Sequence, residues 1–190
     1  MKYIELKKTL DDLDIGMFTP QIASEVLKTT KQSARNLLER YKKLGIIASP
    51  KRGLYYFTEK FLDPFEIAYR LYQPSYLSFE VALSRYGIIP ETVYGITSAT
   101  TKPTREFVFN GIGYIYRKIK RVAYTGYAKE HNYFMAEPEK ALADYLYFVA
   151  TENYTLNDRL DLRNVNKDLA RQYCSLFDNV FLNNLVKKIL

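Results

Sequence analysis

Tryptophan is missing from this chain, and histidine and cysteine occur once each, as His131 and Cys174. A single cysteine excludes an internal disulfide framework and agrees with a reducing compartment. So few soft ligands leave no basis for a zinc site, and neither a metal nor any other cofactor is expected. Long apolar runs are absent as well: the densest, Ala141 to Ala150, is short and broken by Asp144, so no membrane span is expected. The opening stretch MKYIELKKTLDD alternates charged with apolar residues and lacks the apolar core of a signal peptide. A cytoplasmic location is therefore expected. No P-loop, dinucleotide fingerprint or Gly-rich phosphate cradle occurs.

What the chain does have is positive charge, unevenly placed. Lys28, Lys31, Arg35, Arg40, Lys42, Lys43, Lys51 and Arg52 stand in one window against a single acid, Glu39. That window holds the whole surplus of +7, and the rest of the chain is neutral. A concentration of this kind is the footprint of a phosphate-binding surface, or of a solvated helix face followed by a basic loop.

The order of elements carrying the charge separates those readings. Tyr3, Leu6, Leu10 and Leu13 form one apolar stripe of a first helix. Thr19-Pro20 reads as an N-cap and first helical residue of a second helix, reaching about Leu27. Thr30 is expected to cap a third, with Ala34, Leu37, Leu38, Tyr41 and Leu44 on its inner face and Gly45 ending it.

The outer face of that third helix then presents Gln32, Arg35, Asn36 and Lys43, with Lys31 and Lys42 beside them. Amide and guanidinium groups pair bidentately with base edges in the major groove; lysines suit phosphates. Glu39 also faces outward and would repel phosphate, unless it accepts from a cytosine amine. A hairpin follows: strand Ile46 to Ala48, turn Ser49 to Gly53, strand Leu54 to Thr58, with Lys51 and Arg52 at its tip. Together these predict a winged helix-turn-helix over residues 1–60, binding double-stranded DNA through Thr30, Lys31, Gln32, Ser33, Arg35, Asn36, Lys43, Lys51 and Arg52. The competing reading is a winged helix used only to dock a protein.

Residues 61–190 read as an α+β domain with an antiparallel sheet and C-terminal helices. Helices are expected from Asp63-Pro64 to Tyr72, from a Ser78 cap to Gly87, from Pro138 to about Ala150, and from near Asn166 and Asp178. Strands are expected at Thr92 to Ser98, Arg105 to Phe109, Ile112 to Ile119, Tyr124 to Ala128 and Tyr133 to Ala136. Asn110-Gly111 marks a two-residue hairpin. Gln73-Pro74-Ser75 reads as an interruption.

The run YLSFEVALSRYGIIPETVYGITSATTKPTREF, the G-x-x-Y-I-Y-R hairpin and EPEKALADYLYF resemble the C-terminal domain of the AbiE-type abortive-infection antitoxins. That family carries such a domain after a winged helix-turn-helix, and the likeness runs from about Thr19 to Phe148. The resemblance implies a type IV antitoxin that represses its own operon by binding promoter repeats. It also implies that the protein counteracts a nucleotidyltransferase toxin without a stable complex. A homodimer or cooperative binding on DNA is a separate expectation and not part of what the resemblance implies. Two other readings remain open: direct neutralisation of a toxin by binding, and regulation of a different operon.

Two further polar clusters are candidates for a secondary nucleic-acid contact. Lys102 and Arg105 lie in a Thr-rich loop, whose alternative reading is a solvated loop. Arg117, Lys118, Lys120 and Arg121 lie at a strand end, where they would otherwise blunt an edge strand. Glu137, Glu139 and Lys140 superficially resemble a nuclease centre, but Pro138 and the apolar residues after it describe a helix start, where acids favour the macrodipole. No catalytic residue is assigned and no enzyme is expected.

Overall fold

The structure is a computed structural model that describes residues 2–151 and 154–190. It is a mixed α+β protein with eight helices and two sheets among the described residues, and contacts divide it into two units, Met1–Leu71 and Tyr72–Leu190. No helix among these residues is long and apolar enough to cross a membrane.

The first unit contains α1 (Lys2–Asp12), α2 (Pro20–Val26), α3 (Lys31–Lys43), β1 (Ile47–Lys51), β2 (Leu54–Phe57) and α4 (Pro64–Leu71). Leu6, Leu10, Phe18, Ala23, Leu27, Ala34, Leu38, Tyr41, Ile47, Tyr55 and Phe57 form its core. Local chemistry sets the helix ends. The Thr19 hydroxyl accepts from Ile22 N with Pro20 at the first turn, and the Thr30 hydroxyl accepts from Ser33 N at 3.1 Å. Gly45, at φ +71°, turns the chain after α3.

Two expected core positions fall outside. α1 stops at Asp12, so Leu13 is exposed, and Leu44 is the C-cap of α3 with 65% of its surface open. The β1–β2 hairpin pairs Ile47 with Phe57 and Lys51 with Leu54. Phe18 adds a third line of main-chain bonds, exchanging two with Tyr55 at 2.9 Å. The expected boundary near Phe61 differs from the contact division, because α4 packs into the first unit. Ile67, Ala68 and Leu71 are buried, and a Cβ on Gly16 would meet Leu62 and Glu66 at 3.0 and 3.1 Å.

The second unit runs β3 (Ser75–Leu77), α5 (Glu80–Arg85), β4 (Ile96–Thr100), β5 (Arg105–Phe109), β6 (Ile112–Lys118), β7 (Tyr127–Glu130), β8 (Tyr133–Ala136), α6 (Pro138–Thr151), α7 (Lys167–Ser175) and α8 (Val180–Ile189). Its six strands are ordered β5-β6-β4-β3-β8-β7. The sheet is mixed rather than antiparallel: β4 runs parallel to β6, and β3 parallel to β8. The reason is placement. β5 leaves β4 and lies outside β6, so the Asn110-Gly111 turn, with both residues at positive φ, closes a β5–β6 hairpin whose second strand reaches β4 from the same direction. β3 occupies part of the expected interruption. Phe79, not Ser78, precedes α5, and Arg121–Ala123 is a short 3-10 turn ahead of β7.

Candidate nucleic-acid interface

Because Ala34, Leu38 and Tyr41 anchor α3 to the core, its opposite face is held outward. Lys31, Gln32, Ser33, Arg35, Asn36 and Lys43 are all exposed on that helix. The Gln32 Nε2 donates to Asn36 Oδ1 at 3.0 Å, so the two amides form one preassembled polar group across a helical turn. Thr30 and Ser33 are occupied with each other at the helix start, the Thr30 hydroxyl donating to Ser33 Oγ at 2.9 Å.

β2 contributes the floor. Tyr55 donates through its hydroxyl to Glu39 Oε1 at 2.8 Å. Burial, and then that bond, push the Tyr55 phenol upward, with nearby Arg35 opposing, so the tyrosine remains a protonated donor. Above this floor Lys31, Gln32, Arg35, Asn36, Glu39, Arg52 and Gly53 line an open cleft of about 800 Å³, closed on one side by the start of α2. The residues drawn together are thus four of the α3 set and one of the two hairpin cations.

Lys51 departs from its expected role. β1 extends through it, only Arg52-Gly53 forms the turn, and the Lys51 ammonium donates to the Leu71 carbonyl. The lysine is half-buried and directed to main chain rather than held at the tip. Lys43 is exposed in the last turn of α3 and does not line the cleft.

No protein-family model matches this chain, and no curated protein matches it.

In the second unit the basic cluster divides. Arg117 is only 7% exposed. Its guanidinium bonds Glu80 at 3.0 Å and the Tyr154 hydroxyl at 3.2 Å, and it lies over the rings of Tyr154, Phe79 and Phe148. It is therefore a core ion pair and not a nucleic-acid contact, because a strand alternates faces and this position points beneath the sheet toward α5 and α6. Lys118, Lys120 and Arg121 are exposed, with Lys120 donating to the Asp178 carbonyl at 3.2 Å. The edge-blunting reading fails for this cluster, since β6 is an interior strand and β5 is the edge. Lys102 and Arg105 are exposed but lie over the Tyr72 ring, and Lys102 also donates to the Gln73 carbonyl.

The carboxylates near α6 have structural partners. Glu137 accepts from the Tyr173 hydroxyl at 2.7 Å, and Glu139 accepts from Asn166 N at 2.9 Å. Lys140 is fully buried against Asp144 and the Phe177 ring. Among the described residues no group of three His, Cys, Asp or Glu side chains could hold a metal ion.

Proposed function

We propose that the first unit is a winged helix-turn-helix that binds double-stranded DNA sequence-specifically, and that the protein is the autoregulatory repressor of its own operon. The observation that carries this reading is the cleft in which the outward face of α3 and the Arg52 turn converge. Arg35 and the Gln32–Asn36 amide pair suit base edges, whereas Lys31 and Arg52 suit phosphates. A helix held by three buried residues and a hairpin held by a main-chain ladder present these groups from rigid elements.

The test is a fluorescence-anisotropy titration of the DNA upstream of the protein's own gene against a random duplex, across a range of salt. The upstream DNA should bind more tightly, with affinity falling linearly in log salt. Arg35→Ala should weaken specific binding by about 1–3 kcal/mol and relax one base position. Equal affinity for both duplexes overturns the reading.

The wider role, as antitoxin of an AbiE-type operon, is supported by the resemblance carried in the blocks Ser78 to Tyr86, Val93 to Thr101 and Pro138 to Tyr147. On this proposal a neighbouring gene encodes a nucleotidyltransferase toxin, and co-expression of this chain restores growth without the two proteins co-eluting from a sizing column. Co-elution would favour neutralisation by direct binding. Failure to restore growth would leave a regulator of another operon.

A further inference from the structure

A carboxylate stands among the cations of the cleft. Glu39 follows Asn36 by three residues and Gln32 by seven, so the three share one stripe of α3. Against DNA phosphates an acid at this place is unfavourable, and among the described residues no cation pairs with it. Among the described residues its side chain accepts from the hydroxyl of Tyr55, a neutral donor. Tyr55 is itself 6% exposed, and its main chain exchanges two hydrogen bonds with Phe18. The carboxylate is thus oriented from beneath by the sheet through a neutral partner.

An ionised carboxylate only accepts hydrogen bonds. In the major groove guanine presents acceptors at O6 and N7 and thymine an acceptor at O4, so both repel it. Adenine sets N7 beside its amine and suits the neighbouring amides, which donate and accept. Cytosine offers the N4 amine. We infer that Glu39 is a specificity-determining acceptor for a cytosine amine and that Tyr55 is its positioning residue; this rests on the reading of α3 as the DNA-reading helix.

The experiment is selection from a random duplex library with the full-length wild type, Glu39→Gln and Tyr55→Phe, followed by titration of single-base-pair variants of the selected site. The wild type should require a C·G pair at one position, with other pairs roughly ten-fold weaker or worse. Glu39→Gln should bind random DNA more tightly and lose the cytosine preference at that position alone. Tyr55→Phe, checked by thermal melting for an intact fold, should reduce discrimination at the same position and leave the others unchanged. If a wild type that selects a site is matched at every position by Glu39→Gln, this inference is overturned while DNA reading stands. If only Tyr55→Phe matches the wild type, its positioning role is overturned. A wild type that selects no sequence overturns the DNA-reading function itself and the inference with it.

Discussion

The ammonium of Lys140 and the carboxylate of Asp144 pair across one turn of α6 with solvent excluded from both side chains. Asp144 also accepts from the Tyr76 hydroxyl at 2.9 Å and the Ser78 hydroxyl at 2.7 Å, which joins the helix to β3 and the residue after it. Burial pushes the Asp144 carboxyl upward, while the lysine and the two hydroxyls oppose the shift. Removing one member of such a pair leaves the other uncompensated. Lys140→Met should therefore cost about 3–5 kcal/mol in urea unfolding. Adding Asp144→Asn, which keeps an acceptor for both hydroxyls, should recover most of that loss. A Lys140→Met protein as stable as the wild type would show that the pair contributes no net stability.

Cys174 lies in the same interior, and burial pushes its thiol up to about 12. Its pKa is thus higher folded than unfolded, where a thiol ordinarily ionises near 8.5. Between those values the unfolded chain releases the proton and the folded chain keeps it, so this group makes stability fall as pH rises through that window. At pH 8 iodoacetamide should label native protein roughly a thousand-fold more slowly than denatured protein. Mass spectrometry of the labelled chain reads the difference directly; equal rates would place the thiol in contact with solvent.

Lys51 and Arg52 are neighbours with different tasks. Arg52 lines the cleft, while Lys51 donates to the Leu71 carbonyl. On the proposed function, Arg52→Ala should weaken binding to specific and random DNA alike and reduce the slope of log affinity against log salt by about one. Lys51→Ala should leave that slope unchanged. The reverse pattern in salt titrations would return Lys51 to the hairpin tip.

Arg117 should behave as a structural residue. Arg117→Met removes the partner of Glu80, itself partly exposed, and is expected to cost up to about 3 kcal/mol in thermal or urea unfolding. On the proposed function, the folded variant should bind DNA with the affinity of the wild type. A loss of affinity without a loss of stability would restore Arg117 to the interface.

Signals written within a few residues of one another were legible before the structure. Thr19-Pro20, Thr30, Gly45 and Asn110-Gly111 mark helix starts, a helix end and a hairpin because the hydroxyls, the proline and the positive-φ residues act on adjacent main chain. The outward set on α3 was equally legible, since helical spacing alone separates Ala34 and Leu38 from Gln32 and Arg35. Less was visible where distant segments meet. Arg117 looks like one cation among four until Phe79, Phe148 and Tyr154 are brought around it. Lys140 reads as one residue of a helix start until Phe177 and Asp144 enclose it. The only local hint was Asp144 inside an apolar run. The link from Tyr55 to Glu39 joins two elements and has no sequence signature at all.

β3 lies between β4 and β8, and its β8 partner is supplied from far along the chain. During synthesis one flank of β3 therefore has no partner until Tyr133–Ala136 has left the ribosome. The strands of the first unit are joined by a two-residue turn and need no such wait. Loop closure over a long separation is the slower event, so the hairpin beside the cleft is expected to close before the C-terminal sheet is complete.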